Sequence, residues 1–394
     1  MRHSLIPEIG PALLAHNSES ANWEPSEEAV PAIPFARLSA AVESTRPEWE
    51  PRLHSLMKRG QFVLGAELAS FEREFAAALG ARSTVGVASG TDAISLSLRA
   101  ARIHGEVCTT ALTAPFTAIA ILAAGLNVRF ADIEEDSLQI DPIDLTEKLT
   151  PATGGVVAVH LYGQPCRIEE IASITRARGI GLIQDACQAH GALVNGTVPF
   201  TAFGDYVAYS FFPTKNLGCL GDGGAVATNQ RMVDRRLRLL RDGGCRSGHI
   251  SWVPGINSRL DEIQACFLRP FLPRLRDWNT ERRRLAGIYD EGLHDCAEVR
   301  PITRLASSVC HLYIIRVERR NSLRRALLKA GIQTGLPYAT PLHLQPAFAH
   351  ANQKRGSLPR AERASESILS LPLFIGLTES EVWRVVEKIR NFYS

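Results

Sequence analysis

The amino-acid sequence predicts an α/β protein with a large domain built on a mostly parallel central sheet flanked by helices, plus a smaller C-terminal α+β domain. Short apolar segments alternate with helix-length stretches from about Gln61 onward, which is typical of parallel strands covered on both faces. Beyond Asn257 the pattern changes to helical stretches rich in Arg and Leu. A chain of 394 residues is also long for one core, and this favours two domains.

The predicted domain boundaries follow these changes in pattern. Residues 1–32 contain Pro, Glu, Ser and Asn without periodicity, so we interpret them as an N-terminal leader or arm. Residues 33–270 form the predicted large domain, and residues 271–394 form the predicted small domain. The boundary falls inside one long helix expected from Arg259 to about Leu293.

Individual elements follow from the spacing of apolar residues. Glu67–Leu79 carries Leu68, Phe71 and Phe75 at helical spacing. The predicted strands of the large domain are TVGVAS (84–89), NVRFAD (127–132), GVVAVHL (155–161), IGLIQDA (180–186), YVAYSFF (206–212) and GAVAT (224–228). The small domain is predicted to contain a strand at 311–317, a helix from Asn321 to Ala330 and an amphipathic helix near 379–391.

Composition excludes several classes of protein. The 44 Lys and Arg residues barely exceed the 41 Asp and Glu residues, so no broad basic surface for nucleic acid is expected. No apolar run approaches the roughly 20 residues that cross a bilayer. The eight cysteines show no CxxC pair and no zinc spacing, which is typical of reduced thiols in a cytoplasmic protein without a metal site.

A first candidate binding motif is SGTDAISLSLRAAR (89–102), which follows a predicted strand and opens a helix. Gly90 allows close approach of a ligand, Thr91 adds a hydroxyl group, and free N–H groups at a helix start favour an anion. Taken alone, the motif fits phosphate binding or an ordinary turn in which Ser89 or Thr91 caps the helix.

A second candidate is Asp185, which ends the predicted strand in GLIQDACQAHGA. A carboxylate at the end of a buried strand requires a partner. A protonated pyridinium nitrogen would be such a partner, although a helix cap or a local ion pair would also satisfy it.

The third candidate is Lys215 in YSFFPTKNLGCLGDGGAV (209–226). A lysine that emerges from apolar surroundings has an amine whose pKa is readily lowered, as Schiff-base chemistry requires. A single lysine is more often a solvated surface cation, and a glycine-dense loop can be a simple turn. The order of an anion site, a strand-end Asp and a Lys on successive units, however, matches the phosphate, ring nitrogen and aldehyde of pyridoxal phosphate.

The sequence resembles the DegT family of sugar aminotransferases, which have the aspartate-aminotransferase fold (fold type I of the pyridoxal-phosphate enzymes). The resemblance runs from about Ile33 to the C-terminus. It rests on QFVLGAELASFEREFA, VASGTDAISL, VAVHLYGQP, IQDACQAHGA, YSFFPTKNLGCLGDGGA, GINSRLDEIQA, TPLHLQPAF and SLPLF.

The resemblance implies a role for each site residue. Lys215 would hold pyridoxal 5′-phosphate as a Schiff base, Asp185 would partner the ring nitrogen, and Gln188 would lie over the ring. The remaining implied contacts are Gly90, Thr91 and Ser210 with the phosphate, Asn257 with the phosphate of the neighbouring subunit, and His311, Tyr338 and His343 with the substrate. A homodimer with shared active sites is therefore expected.

Two positions depart from the family pattern. Ala114 stands where relatives carry an aromatic residue that stacks on the cofactor, and Phe116 is a candidate to supply that ring from two residues later. Pro337 stands where many relatives have His before the Tyr.

The resemblance implies transfer of an amino group from L-glutamate to a keto sugar that carries a nucleotide, with a 3-keto hexose favoured. Arg241, Arg246 and Arg259 are candidates to bind its diphosphate, although each is equally consistent with an ordinary surface arginine. Two alternatives remain open: an aminotransferase acting on a cyclitol or another antibiotic precursor, and a non-catalytic regulatory protein that retains the fold. Lys215 argues against the related sugar dehydratases, which have histidine at that position.

Overall fold

The computed structural model describes residues 32–246 and 250–394. The predicted leader, residues 1–32, lies outside the described residues apart from Ala32. Residues Ile33–Ser394 form one compact unit, and the domain boundary predicted between residues 270 and 271 within it stays a prediction. In the described part of the chain, no helix is long and apolar enough to cross a membrane.

The central sheet is mostly parallel, as predicted. The strands of the structure are β1 (Ser83–Val87), β2 (Glu106–Thr110), β3 (Asn127–Ala131), β4 (Thr153–Val159), β5 (Gly181–Asp185), β6 (Val207–Ser210), β7 (Gly224–Thr228), β8 (Val299–Pro301), β9 (Tyr313–Val317) and β10 (Ile368–Leu371). The first seven form one sheet in the order β1-β7-β6-β5-β4-β2-β3. Strands β3, β2, β4, β5 and β6 pair in parallel, and β7 is antiparallel to both of its neighbours.

Strand β2 is the one strand of this sheet that the sequence analysis did not predict. Its sequence, EVCTT, begins with a charged residue and ends with two threonines, so its apolar signal is weak. In the structure its last four residues are nevertheless buried, because strands lie on both sides of it and helices cover the sheet.

Helices cover both faces of this sheet. The α-helices are α1 (Ser39–Ser44), α2 (Arg46–Arg59), α3 (Ala66–Ala78), α4 (Gly90–Ala100), α5 (Pro115–Ala123), α6 (Pro142–Lys148), α7 (Ile168–Arg178), α8 (Arg231–Arg241), α9 (Glu262–Phe271), α10 (Leu275–Leu293), α11 (Arg320–Lys329), α12 (Pro359–Ser367) and α13 (Glu379–Tyr393). Alternate residues of one strand belong to different cores: Val157 packs in one cluster, whereas Val156 and Ala158 pack in the other. Since both faces are buried, polar groups concentrate where the strands end.

The single long helix predicted from Arg259 to Leu293 is wrong. Helix α9 ends at Phe271, a 3-10 turn spans Leu272–Arg274, and α10 begins at Leu275. Pro273 lies in that turn and has no N–H to continue the hydrogen-bond ladder, which accounts for the interruption.

The C-terminal part of the chain has its own antiparallel sheet in the order β10-β9-β8. Helices α10, α11 and α13 supply much of a third hydrophobic cluster around it. Helix α13 begins with a capping box, in which Thr378 Oγ1 accepts from the Glu381 backbone N–H at 3.2 Å. The smaller C-terminal sheet and the final helix agree with the predicted fold class.

Candidate active site

A cavity of about 360 Å³ opens at the carboxyl ends of the parallel strands. Such edges are where ligands bind in open α/β sheets. Most of the site residues predicted from the sequence line this cavity: Gly90, Thr91, Phe116, Asp185, Gln188, Ser210, Lys215 and Tyr338. An adjoining cavity of about 220 Å³ shares Lys215 and Tyr338, and the predicted residue His311 lines that one.

The start of helix α4 forms one wall. Ser89 caps the helix by accepting a hydrogen bond from the Asp92 backbone N–H at 3.0 Å. A Cβ atom at Gly90 would lie only 2.6 Å from Ser210 Cβ, so a side chain there would clash with the end of β6. Glycine therefore lets the helix start and Ser210 meet, and the first N–H groups of the helix are suited to an anion such as phosphate.

Asp185 lies at the carboxyl end of β5 and is 5% exposed. Its Oδ2 accepts from Thr117 Oγ1 at 2.8 Å, and its Oδ1 accepts from the Cys187 backbone N–H at 3.1 Å. A carboxylate oxygen can accept more than one hydrogen bond, so the group retains capacity for a cationic partner in the cavity. The sequence analysis missed Thr117, because a threonine inside a helix carries no signal of its distant partner.

Lys215 lies in the turn after β6, where its backbone N–H donates to Phe212 O at 2.9 Å. Burial lowers the pKa of its ammonium group, although Cys187 and Asp185 act in the opposite direction. The lowered pKa favours the free amine, which is the nucleophilic and basic form. Gly218 is required in this turn, since a Cβ atom there would lie 2.5 Å from Pro213 O.

Gln188 and Tyr338 form a hydrogen-bonded pair beside Lys215. Gln188 Nε2 donates to the Tyr338 hydroxyl at 2.9 Å, while Gln188 Oε1 accepts from the Tyr162 backbone N–H at 2.8 Å. The Tyr162 hydroxyl donates to Pro337 O at 2.5 Å, which ties the Tyr338 segment to the large sheet. Burial raises the pKa of Tyr338, so its hydroxyl stays protonated.

The segment around Ala114, the position that departs from the family pattern, borders the same cavity. Ala114, Pro115 and Phe116 all line it, and Phe116 is 60% exposed. The structure therefore brings the candidate aromatic ring to the cavity. Its stacking on the cofactor stays a prediction.

Two predicted residues are not brought to either of these cavities. Asn257 is exposed and forms a backbone bridge with Asp242, and its contact with a neighbouring subunit stays a prediction. His343 is buried, and its Nε2 lies 3.0 Å from Glu362 Oε1. This placement gives the predicted substrate contact of His343 no support, because packing and the Glu362 contact hold its ring inside the protein.

The three arginines considered for a diphosphate also lie elsewhere. Arg241 is buried and pairs with Glu72 Oε1 at 2.5 Å. The other two have partners within the protein: Arg259 pairs with Asp242 at 2.6 Å, and Arg246 lies over the Trp252 ring at 5.3 Å. None of these contacts requires a substrate.

The residues present fit pyridoxal phosphate. The start of α4 matches a phosphate, the buried carboxylate of Asp185 matches a protonated ring nitrogen, and the amine of Lys215 matches an aldehyde carbon. In the described part of the chain, no group of three or more His, Cys, Asp or Glu side chains could hold a metal ion.

Known proteins resemble the chain in both sequence and structure. Residues 44–390 match the family described as DegT/DnrJ/EryC1/StrS aminotransferases. A dTDP-3-amino-3,4,6-trideoxy-alpha-D-glucose transaminase of Streptomyces venezuelae is 38% identical over 366 residues, covering 92% of this chain and 96% of its own. A "pleiotropic regulatory protein" of Geobacillus stearothermophilus is 39% identical over 367 residues, covering 92% of this chain and 98% of its own.

Among solved structures, the crystal structure of S. venezuelae DesV in complex with a ketimine intermediate is similar with a TM-score of 0.90 and 38% identity. The match covers 93% of this chain and 99% of that chain. The fold predicted from the sequence is confirmed. The chain belongs to the DegT/DnrJ/EryC1/StrS aminotransferase family, and pyridoxal 5′-phosphate is its cofactor.

Proposed function

We propose that this aminotransferase moves an amino group from L-glutamate to a nucleotide-linked keto sugar whose carbonyl is at the third carbon. The observation that carries the proposal is the convergence of Lys215, Asp185 and the start of α4 on one cavity. The sugar assignment is supported by the S. venezuelae relative, whose name describes a nucleotide-linked 3-amino sugar.

The residues around the cavity have separate roles in the proposed reaction. Bound pyridoxal phosphate supplies an electron sink, which allows a carbon-bound hydrogen next to the amine to leave as a proton. The Lys215 amine takes that proton and returns it, and its lowered pKa suits both directions of transfer. Asp185 holds a proton on the ring nitrogen, and Thr117 keeps the Asp185 carboxylate oriented.

A cyclitol or another antibiotic precursor is a second candidate acceptor, because the residues around Lys215 specify the amine chemistry and not the acceptor. A purely regulatory role has one supporting observation, the name of the G. stearothermophilus relative. The Lys215 amine and the Asp185 carboxylate line one cavity, and this favours catalysis.

We also propose a homodimer with shared sites, in which Asn257 of one subunit reaches the phosphate site of the other. Exposed apolar side chains support it, since Phe62 is 54% exposed, Phe116 60% and Phe212 48%, and the last two line the cavity. We place the enzyme in the cytoplasm, and its eight cysteines, all free thiols, support that compartment.

The first experiment is a visible spectrum of the purified protein, alone and with L-glutamate, beside Lys215→Ala and the control Lys329→Ala. Lys329 is exposed at the end of α11, so its variant should behave as the wild type. We expect a yellow absorbance band that L-glutamate bleaches in the wild type and control. In Lys215→Ala the band of the lysine-bound cofactor should be absent.

Panels of nucleotide-linked keto sugars and cyclitols then identify the acceptor from the return of the yellow band. A wild-type protein that takes up no added pyridoxal phosphate would refute the catalytic proposal. A band that L-glutamate leaves unchanged would refute the amino donor alone.

A further inference from the structure

A chain of buried amides connects the lysine turn to His311. Asn216 follows Lys215 directly, is 1% exposed, and has its Oδ1 3.0 Å from His311 Nδ1. Asn216 Nδ2 donates to Val309 O at 2.9 Å and to Asn279 Oδ1 at 2.8 Å. Asn279 Nδ2 donates in turn to His190 O at 2.8 Å.

This series of hydrogen bonds fixes which atom donates in each of them. The backbone carbonyls of Val309 and His190 can only accept hydrogen bonds, so the atoms facing them are the amide nitrogens of Asn216 and Asn279. Asn216 therefore turns its oxygen toward His311. A proton must then lie on His311 Nδ1, and the second ring nitrogen, Nε2, keeps a free lone pair if the ring is neutral.

The surroundings keep the His311 ring neutral. Burial holds the pKa of His311 well below its usual range, and Lys215, Arg282 and His190 lower it further. Arg282 lines the same cavity as His311, and its Nη1 donates to Leu373 O at 2.9 Å and to His311 O at 3.3 Å. A second proton would give the buried His311 ring a positive charge close to Lys215 and Arg282, which disfavour it.

We propose that Asn216 is a positioning residue that holds His311 as a hydrogen-bond acceptor in the cavity beside Lys215. A substrate group that meets His311 must then donate a hydrogen bond, as a hydroxyl or an ammonium group does. A carboxylate or a phosphate would face a lone pair and is disfavoured there. The inference rests on the proposed aminotransferase reaction and specifies which chemical group of the substrate this wall accepts.

Nitrogen NMR of the holoenzyme labelled with ¹⁵N-histidine tests the tautomer directly, with His311 assigned by the signal that His311→Asn removes. We expect His311 to be neutral and protonated on Nδ1 between about pH 6 and pH 8. An Nε2-protonated ring, or a doubly protonated ring near neutral pH, would overturn the proposal. This measurement uses the wild-type protein and needs no substrate, so its outcome is independent of whether L-glutamate is the donor.

Two substitutions at His311 separate acceptance of a hydrogen bond from packing. Gln can present an oxygen acceptor near the position of Nε2, whereas Leu fills the space without one. In the L-glutamate bleaching reaction, we expect His311→Leu to lose about tenfold in kcat/KM through KM and His311→Gln to lose much less. Equal losses in the two variants would show that the ring only packs.

Asn216→Ala tests the positioning role, with the exposed residue Asn321 changed to Ala as the matched control. We expect the Asn216 variant to keep its yellow band while His311 shifts to a mixture of tautomers and KM rises. A His311 tautomer unchanged in Asn216→Ala would remove Asn216 from the proposal.

Discussion

The two sides of the active-site cavity are built differently. On the sheet side, Asp185 and Ser210 end neighbouring parallel strands, and Asp185 and Ala208 are paired in register. On the C-terminal side, His311 and Tyr338 come from loops, and their side chains form hydrogen bonds with Asn216 and Gln188. The sheet side thus presents the proposed cofactor-binding side chains on the ends of paired strands, whereas we expect the loops of the C-terminal side to vary with the substrate.

The largest effect is expected on the sheet side at Asp185. Asp185→Asn keeps the size of the side chain but removes the charge that we propose holds a proton on the ring nitrogen. We expect at least about a hundredfold loss in the rate of L-glutamate bleaching. Thr117→Val, which removes only the hydrogen bond to Asp185, should lose much less, and near-normal activity in Asp185→Asn would show that another group protonates the ring.

The proposed dimer predicts the next effect: two impaired variants should regain activity when they are co-expressed in one dimer. Lys215→Ala and Asn257→Ala subunits should each be impaired at limiting pyridoxal phosphate. If Asn257 acts on the partner's site, a mixed dimer contains one site with both wild-type residues, so co-expression restores activity. Co-expressed subunits that form mixed dimers yet stay inactive would place Asn257 and Lys215 in sites of the same subunit.

A smaller effect is expected at Tyr338 on the C-terminal side. Tyr338→Phe removes the hydroxyl that accepts from Gln188 and leaves the ring in place. We expect a loss of about tenfold or less in kcat/KM, because one neutral hydrogen bond is removed. Tyr206→Phe is the control outside the cavity, and a loss as large as that of Asp185→Asn would give Tyr338 a role in the proton transfer itself.

The smallest effect on activity is expected at His343. Its contact with Glu362 is buried and lies outside the cavities around Lys215, so His343→Gln should leave the KM for L-glutamate unchanged. We expect the free energy of unfolding to fall by about 1 kcal/mol, measured by denaturant titration. A raised KM at unchanged stability would restore His343 to the substrate site.

The contrast between the sheet side and the C-terminal side also explains which site residues the sequence could predict. Asp185 and Lys215 could be predicted to lie together because Asp185 ends an apolar strand and Lys215 follows one, and strand ends meet at one edge of a parallel sheet. Thr117 and Asn216 were missed, since their partners are distant in sequence or in another element. His343 and Arg241 lie outside the cavities around Lys215, which could not be predicted for a related reason: the sequence shows a polar residue near a motif but not the buried carboxylate that it contacts.

The position of β7 also governs when the site can form during synthesis of the chain. Strand β7 lies between β1 and β6, and Ser83 pairs with Thr228, so the ribosome must complete this late strand before the edge strand can join the sheet. A Cβ atom at Gly224 would lie 2.3 Å from Ser89 O, which shows how closely the end of the lysine loop approaches the helix start. The start of α4, proposed to bind phosphate, is thus made early, but the strand that precedes it joins the sheet only after translation passes β7. The wall bearing His311 and Tyr338 follows later still. A nascent chain therefore cannot hold its cofactor in a complete site until most of the polypeptide has emerged.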